Sequence, residues 1–119
     1  MQNVADIAIK VGKVPSLNDF YGGKHYYFRS SAKNKFKGEI LIELDKHDKI
    51  TFKKVTVVAK VNYGYDVDNC IMAIKFAMDA LREWGGIPDD TKKYFPKLTI
   101  QYDPEQEKNT STIIFSGEL

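Results

Sequence analysis

Residues 55–84, VTVVAKVNYGYDVDNCIMAIKFAMDALREW, contain the pattern that decides the fold. Apolar residues alternate with other residues in its first part: Val55, Val57, Ala59 and Val61. This period of two predicts a strand with one buried face. Apolar residues recur at spacings of three and four in its second part: Ile71, Ile74, Met78 and Leu81. This spacing predicts an amphipathic helix, which ends at Trp84 because Gly85-Gly86 follows.

Acidic residues stand at both ends of that helix. Asp66-Val67-Asp68-Asn69 precedes it and Asp89-Asp90 follows it. Alternate side chains of an extended segment point the same way, so Asp66 and Asp68 are expected to face one point. Four carboxylates brought together repel one another unless a cation lies between them, and Mg²⁺ is commonly held by one or two carboxylates with phosphate and water. The acids therefore predict a Mg²⁺ site. The alternative is that Asp68 is only the helix N-cap and Asp89-Asp90 only a surface turn.

The segments before this stretch predict a strand and a helix. Ile7, Ile9 and Val11 alternate with Ala8 and Lys10, which indicates a first strand. A loop is expected from Pro15 to Gly23, with its aromatic residues mostly in the core. A helix is expected from Ser30 or Ser31 to about Lys46. Its apolar stripe is Phe36, Ile40, Leu41 and Leu44.

The strand before Asp66 is expected to begin near Ile50, with a bulge at Lys53-Lys54 where the alternation slips. Two more strands are expected at 98–102 and 112–115, paired with each other as a hairpin. The predicted order is β-α-β-α-β-β. We expect an α+β fold, a small mixed sheet with two helices packed on it.

The composition fits one domain, residues 1–119, with 43% apolar residues and a net charge of +2. That charge allows a nucleic-acid partner without requiring one. The single cysteine, Cys70, excludes an internal disulfide and is expected to be a buried or half-buried thiol and not a nucleophile. No apolar run approaches the length of a membrane span, and the N-terminus lacks a signal-peptide pattern. We therefore expect no membrane partner and a cytoplasmic protein.

The remaining motifs argue against several enzyme classes. His25 and His47 are far apart, and the chain has no cysteine pair, so zinc hydrolysis is poorly supported. No Gly-x-Ser-x-Gly is present, and Gly22-Gly23-Lys24 lacks the first glycine and the Ser/Thr of a Walker loop. Clustered aspartates with lysines nearby instead suit Mg²⁺-dependent phosphodiester hydrolysis.

Three motifs carry a resemblance to a known family: Asp66-Val67-Asp68-Asn69, Asp79-Ala80-Leu81 and Gly85-Gly86-Ile87-Pro88-Asp89-Asp90. From Asp79 to Asp89-Asp90 this chain aligns with the family's pattern without a gap. Pro15-Ser16-Leu17-Asn18 through Tyr21, then Arg29 and a lysine-rich helix, match the family's opening pattern. With these residues the chain resembles the RusA-type Holliday-junction resolvases, small endonucleases often carried by phages and prophages. The resemblance covers most of the chain.

The resemblance implies a homodimeric, Mg²⁺-dependent endonuclease that resolves four-way DNA junctions by paired nicks in DNA recombination and repair. It implies that Asp66, Asp68 and Asp90 are metal-binding catalytic acids, with Asp89 beside them as the other possible third ligand. Counted back from Asp79, Lys75 matches the family's catalytic lysine. Counted forward from Asn69, that position is Met72, because this chain has about one extra helical turn. Some members have arginines where this chain has Gly64-Tyr65.

Two further expectations concern partners. Lys75, Arg29, Lys92 and Lys93 are expected to contact DNA phosphates. Apolar residues beyond the needs of a small core are expected in the dimer interface: Met78, Trp84, Phe20 and Tyr21. Two other classes of function stay open, a branched-DNA-binding module that does not cleave and an interaction domain whose acids are simply solvated.

Overall fold

The computed structural model describes residues 3–14, 26–64, 66–89 and 91–119, with the backbone alone at 26–30. The elements in chain order are β1 (Val4–Val11), α1 (Tyr26–Leu44), β2 (Lys54–Asn62), a 3₁₀ turn (Val67–Cys70), α2 (Met72–Trp84), β3 (Lys97–Tyr102) and β4 (Thr110–Glu118). This confirms the α+β arrangement. The predicted loop at 15–23, with Phe20 and Tyr21, lies outside the described residues.

The four strands form one mixed sheet in the order β1-β4-β2-β3. β4 is antiparallel to both β1 and β2, and β3 is parallel to β2. The predicted hairpin of the last two strands is therefore wrong, since β2 lies between them. Residues 103–109 cross the end of β2 instead. The Asp103 N–H donates to the Val61 carbonyl at 2.9 Å and the Asn109 N–H donates to the Asn62 carbonyl at 2.6 Å. This crossing gives the apolar strand β2 a neighbour on each side.

One face of the sheet carries the core. Its buried side chains come from three strands: Ile7, Ile9, Val11, Val55, Val57, Ala59, Val61, Ile113 and Phe115. Both helices cover this face, and the Phe36 and Phe76 rings meet with their centroids 6.1 Å apart. Because β1, β2 and β3 run in one direction, each helix returns along the sheet and the two helices are parallel. Lys33 forms an ion pair with Asp79, at 3.7 Å, and Lys37 forms one with Glu83, one turn further along each helix.

The element boundaries differ from expectation in three places. Backbone helix α1 begins at Tyr26, earlier than Ser30. β2 begins at Lys54, so the slip in alternation after Phe52 precedes the strand and is not a bulge within it. Ile71, expected in the buried stripe, is exposed because α2 begins only after it.

The predicted end of α2 is confirmed. Gly85 adopts a left-handed conformation, with φ of 89°. Its N–H donates to the Arg82 carbonyl, and the Gly86 N–H donates to the Leu81 carbonyl at 2.9 Å. These bonds satisfy carbonyls that the helix leaves without a partner. Neither this helix nor α1, as described, is long and apolar enough to cross a membrane.

Candidate functional site

The segment after β2 presents two aspartates to solvent. Asp66 is extended, with φ of −61° and ψ of 153°, and its carbonyl accepts from the Asn69 N–H at 3.0 Å. The Cys70 thiol donates to the same carbonyl at 3.4 Å. These bonds turn the chain already at Val67, so Asp68 lies in a 3₁₀ turn. Both aspartate side chains are exposed.

The predicted local geometry of Asp68 is therefore wrong in two respects. The segment is not extended through Asp68, so strand alternation does not align its side chain with that of Asp66. Asp68 is also not the N-cap of α2, because Ile71 takes that position, and neither Asp66 nor Ile71 makes a side-chain capping bond. The difference lies in the local hydrogen bonds: the Asn69 N–H and the Cys70 thiol both donate to the Asp66 carbonyl, which closes a tight turn and leaves Cys70 buried.

A pocket of about 310 Å³ opens beside Asp66. It is lined by Tyr63, Gly64, Asp66, Val67 and Tyr102. Tyr102 reaches it because β3 lies next to β2, with Tyr102 opposite Val61 in the parallel register. The pocket therefore combines one carboxylate with two aromatic side chains at the carboxyl end of two parallel strands, which is a common position for ligand sites.

Tyr63 anchors this end of the sheet. Its hydroxyl accepts from the Val14 N–H at 3.3 Å and lies in hydrogen-bonding contact with the Ser111 hydroxyl. The Gly12 carbonyl is 3.2 Å from the Tyr63 hydroxyl and also accepts from the Ser111 hydroxyl at 3.0 Å. Burial raises the pKa of Tyr63 to about 12, although the bonds from Ser111 and Val14 act in the opposite direction. The phenol is therefore neutral at physiological pH and joins β1, β2 and β4.

Cys70 is fully buried, as expected, and its pKa responds to the negative charges of the turn. Burial, followed by the nearby carboxylates of Asp68 and Asp66, raises the pKa of its thiol to about 11. Lys13 acts in the opposite direction. Both aspartates are thus close enough to Cys70 to disfavour a thiolate. The protonated thiol is a poor nucleophile, which agrees with a structural role.

Asp89 lies at the other end of the sheet. The Gly86 carbonyl accepts from the Phe52 N–H at 2.7 Å, and the Tyr94 carbonyl accepts from the Val55 N–H at 2.8 Å. Phe52 and Val55 flank the start of β2, whereas Asp66 follows its end. A nine-residue strand spans about 26 Å. Helix α2 therefore carries the chain away from Asp66 before Asp89 is reached.

The described residues consequently do not assemble the predicted four-carboxylate cluster. Within residues 3–14, 26–64, 66–89 and 91–119, no three His, Cys, Asp or Glu side chains are grouped so that they could hold a metal ion. Asp90 lies outside the described residues. What this part of the chain brings together is the pair Asp66 and Asp68 on one turn.

The basic residues are distributed over both ends of the molecule. Lys75 is exposed in the first turn of α2, whereas Met72, the other position for the family's lysine, is buried. Of these two positions only Lys75 is accessible to a phosphate. Lys92 and Lys93 are exposed in the turn that follows Asp89, with the Lys93 amine 5.4 Å from the centre of the Tyr94 ring. The side chain of Arg29 is outside the described residues.

Comparison with protein-family models and with curated protein sequences finds no match. The RusA-type resemblance therefore stays an expectation from the motifs. Sequence reasoning also missed two residues of the site, Tyr63 and Tyr102. Tyr63 stands just before the acids, but its partner Ser111 is far away in the chain. Tyr102 gives no signal without the strand order.

Proposed function

We propose that this protein is a Mg²⁺-dependent, structure-selective endonuclease that resolves four-way DNA junctions as a homodimer. One observation carries the proposal. Asp66 and Asp68 present exposed carboxylates on one turn after β2, and Asp66 lines a pocket with Tyr63 and Tyr102. Together with the family-like motifs, this pair supports phosphodiester hydrolysis better than the other chemistries considered.

The donor set fits the expected cation. Mg²⁺ prefers oxygen ligands and is commonly bound by one or two carboxylates, with water and substrate phosphate completing its coordination. Asp66 and Asp68 are the residues that would hold it. When bound, Mg²⁺ would lower the pKa of an attacking water and neutralise charge on the phosphate.

The chain's own residues would orient the DNA. Lys75, exposed near the start of α2, is the basic residue best suited to a phosphate that approaches the acid turn. Tyr102 and Tyr63 line the same pocket as Asp66 and supply aromatic surface beside its carboxylate. Lys92 and Lys93, beyond the far end of α2, would contact a more distant part of a large substrate.

The direct test incubates the purified protein with a synthetic four-way junction and a matched linear duplex, with and without Mg²⁺. We expect nicks in the junction only when Mg²⁺ is present, and little or no cutting of the duplex. Equal cutting of both substrates would favour a general nuclease. No cutting of either, with no binding of the junction, would favour an interaction domain whose acids are solvated.

A second candidate is a branched-DNA-binding module without cleavage. The observation in its favour is that the described residues hold no group of three metal-binding side chains. Such a module would bind the junction with an affinity that falls steeply with salt. It would bind Mg²⁺ only weakly and leave the DNA intact, which separates it from the nuclease in the same experiment.

A further inference from the structure

The pocket beside Asp66 has one aromatic wall that is accessible to a ligand. Of the two tyrosines that line it, Tyr63 is only 7% exposed, and its hydroxyl takes part in the internal hydrogen bonds with Val14 and Gly12. Tyr102 is 55% exposed. The accessible ring of this pocket is therefore that of Tyr102, and the exposed carboxylate of Asp66 belongs to the same lining.

The sheet fixes the position of Tyr102. This residue pairs with Val61 in the parallel register of β2 and β3, and the next residue, Asp103, donates its N–H to the Val61 carbonyl at 2.9 Å. The 3₁₀ turn that carries Asp68 also lies against β3. The relative position of the Tyr102 backbone and the acid turn is thus set by the fold.

The pocket is open beside Gly64, which is exposed and belongs to its lining. A Cβ atom at this position would meet no heavy atom of the described residues within 4 Å, its chain neighbours aside. The pocket volume of about 310 Å³ is at the small end of the range for ligand sites, about 300–1,000 Å³. The pocket therefore has room for one flat group such as a nucleobase, whereas a double helix can only lie across its mouth.

Tyr102 also differs from the other exposed apolar residues. The large apolar side chains that are exposed in the described ranges, besides Tyr102, are Val4, Ile42, Ile71 and Leu98. None of these four is aromatic, and none lines the pocket with Asp66. Trp84, which was expected at an interface, is buried and donates to Asp45 at 3.0 Å. An exposed aromatic ring can stack on any nucleobase, because every base has a π-face.

We propose that Tyr102 stacks on one unpaired nucleobase of the DNA whose phosphate lies at Asp66 and Asp68. This inference rests on the proposed function and adds to it the ligand of the pocket. The base and the phosphate of a nucleotide are joined by a single sugar. A phosphate at the acid turn therefore brings its base within reach of the adjoining pocket, where the face of the base lies on the Tyr102 ring.

Such a contact selects branched DNA over a linear duplex. A base must leave its own stack before it can stack on a protein ring, and this costs least where the base is already unpaired or poorly stacked. The bases beside the branch point of a four-way junction have an interrupted stack, whereas the bases inside a linear duplex are stacked on both faces. Tyr102 is therefore a specificity residue of the site.

Ile71 is the competing candidate for a contact with the bases. It is 49% exposed and directly follows the 3₁₀ turn. An aliphatic side chain can act as a wedge between two base pairs. However, Ile71 does not line the pocket with Asp66, and it has no ring on which a base could stack. The two candidates differ in what they require, since a wedge needs only bulk and a stacking platform needs an aromatic ring.

The first test measures DNA binding without Mg²⁺, so that no cleavage is required. A labelled four-way junction and a matched linear duplex are titrated with the wild type and with Tyr102→Ala. We expect the dissociation constant of the junction to rise at least about fivefold, and that of the duplex to change by less than about twofold. Tyr102→Phe and Tyr102→Trp should restore the junction affinity, whereas Tyr102→Leu should bind as weakly as Tyr102→Ala. Circular dichroism and light scattering check that the variants fold and associate as the wild type does.

Three results of this test overturn the stacking contact. The first is an unchanged junction affinity in Tyr102→Ala, and the second is an equal loss of affinity for junction and duplex. The third is full junction affinity in Tyr102→Leu, which has bulk but no ring. Loss of junction binding in Ile71→Ala but not in Tyr102→Ala would identify Ile71 as a wedge instead.

The second test locates the base. Junctions are prepared with a single abasic nucleotide at each position beside the branch point in turn. If Tyr102 stacks on the base that is removed, the loss caused by the abasic nucleotide and the loss caused by Tyr102→Ala are not additive. We expect one position at which Tyr102→Ala weakens binding by less than about twofold, because the base that it would contact is already missing. Additive losses at every position contradict the contact.

The same titrations separate this inference from the proposed function. If the wild type nicks the junction with Mg²⁺ while Tyr102→Ala binds the junction as tightly as the wild type, the stacking contact is wrong and the nuclease stands. If the wild type binds the junction through Tyr102 but never nicks it, the stacking contact stands and the nuclease is wrong. If the wild type binds neither junction nor duplex, both are wrong.

Discussion

The hydroxyl groups of Tyr63 and Ser111 are hydrogen-bonded to each other in the interior, at the end of the sheet that carries Asp66. Tyr63 directly follows β2 and Ser111 is the second residue of β4, so this hydrogen bond connects two neighbouring strands. Both hydroxyls also contact the Gly12 carbonyl, which connects them to the end of β1. The Tyr63 side of the pocket is therefore held by a buried network of hydrogen bonds.

Tyr63→Phe is expected to destabilise the protein by about 1–3 kcal/mol. The substitution keeps the ring but leaves the buried Val14 N–H without the acceptor that it has in Tyr63. Urea unfolding followed by circular dichroism measures the difference. Tyr102→Phe is the matched control, because the Tyr102 side chain is largely exposed and should lose less than about 0.5 kcal/mol. Equal stability of the two variants would show that the network contributes little.

Stability is expected to fall as the pH rises above about 9. Burial raises the pKa of Cys70 to about 11 from its ordinary value of 9.0 and that of Tyr63 to about 12 from 10.0. The unfolded chain therefore loses these protons at a lower pH than the folded chain. Their contribution is complete below pH 9 and is lost as the pH rises through the folded pKa values. Unfolding free energies measured from pH 7 to 11 check this.

Cys70→Ala provides the matched comparison for the alkaline transition. It removes the thiol without introducing a new titrating group, so the fall in stability between pH 9 and 11 should become shallower. The substitution itself costs little volume, and its effect at pH 7 serves as the baseline. A slope identical to that of the wild type would mean that Cys70 does not contribute to the pH dependence.

Features set by neighbouring residues, such as the end of a helix, could be predicted from the sequence. Features set by the order of the strands in the sheet could not. Gly85-Gly86 ended α2 as expected, because a left-handed residue after a helix favours glycine for a purely local reason. The pairing of β3 depends on the whole sheet. The residue spacing suggested a hairpin of β3 with β4, whereas β3 pairs with β2 in parallel. Asp89 and Asp66 lie at opposite ends of β2 because α2, with 13 residues, runs back along the sheet between them.

Asp66→Asn, Asp68→Asn and Asp90→Asn are each expected to abolish nicking while junction binding is retained. An amide is a weaker Mg²⁺ ligand than a carboxylate, but it does not repel phosphate. Nicking of a labelled four-way junction and gel-shift binding are measured side by side. Asp48→Asn, in the exposed turn after α1, is the control and should behave as the wild type. Full activity of Asp66→Asn or Asp68→Asn would contradict the site.

Lys75→Ala is expected to weaken junction binding and to reduce the salt dependence of the affinity. Lys75 is exposed in the first turn of the helix that follows the acid turn, so it is accessible to a phosphate near Asp66 and Asp68. A single phosphate contact contributes about one unit to the slope of log affinity against log salt concentration. Titrations at several salt concentrations measure that slope, and Lys108→Ala, in the exposed loop before β4, is the control. An unchanged slope, affinity and cleavage rate would identify Lys75 as a solvated residue of α2.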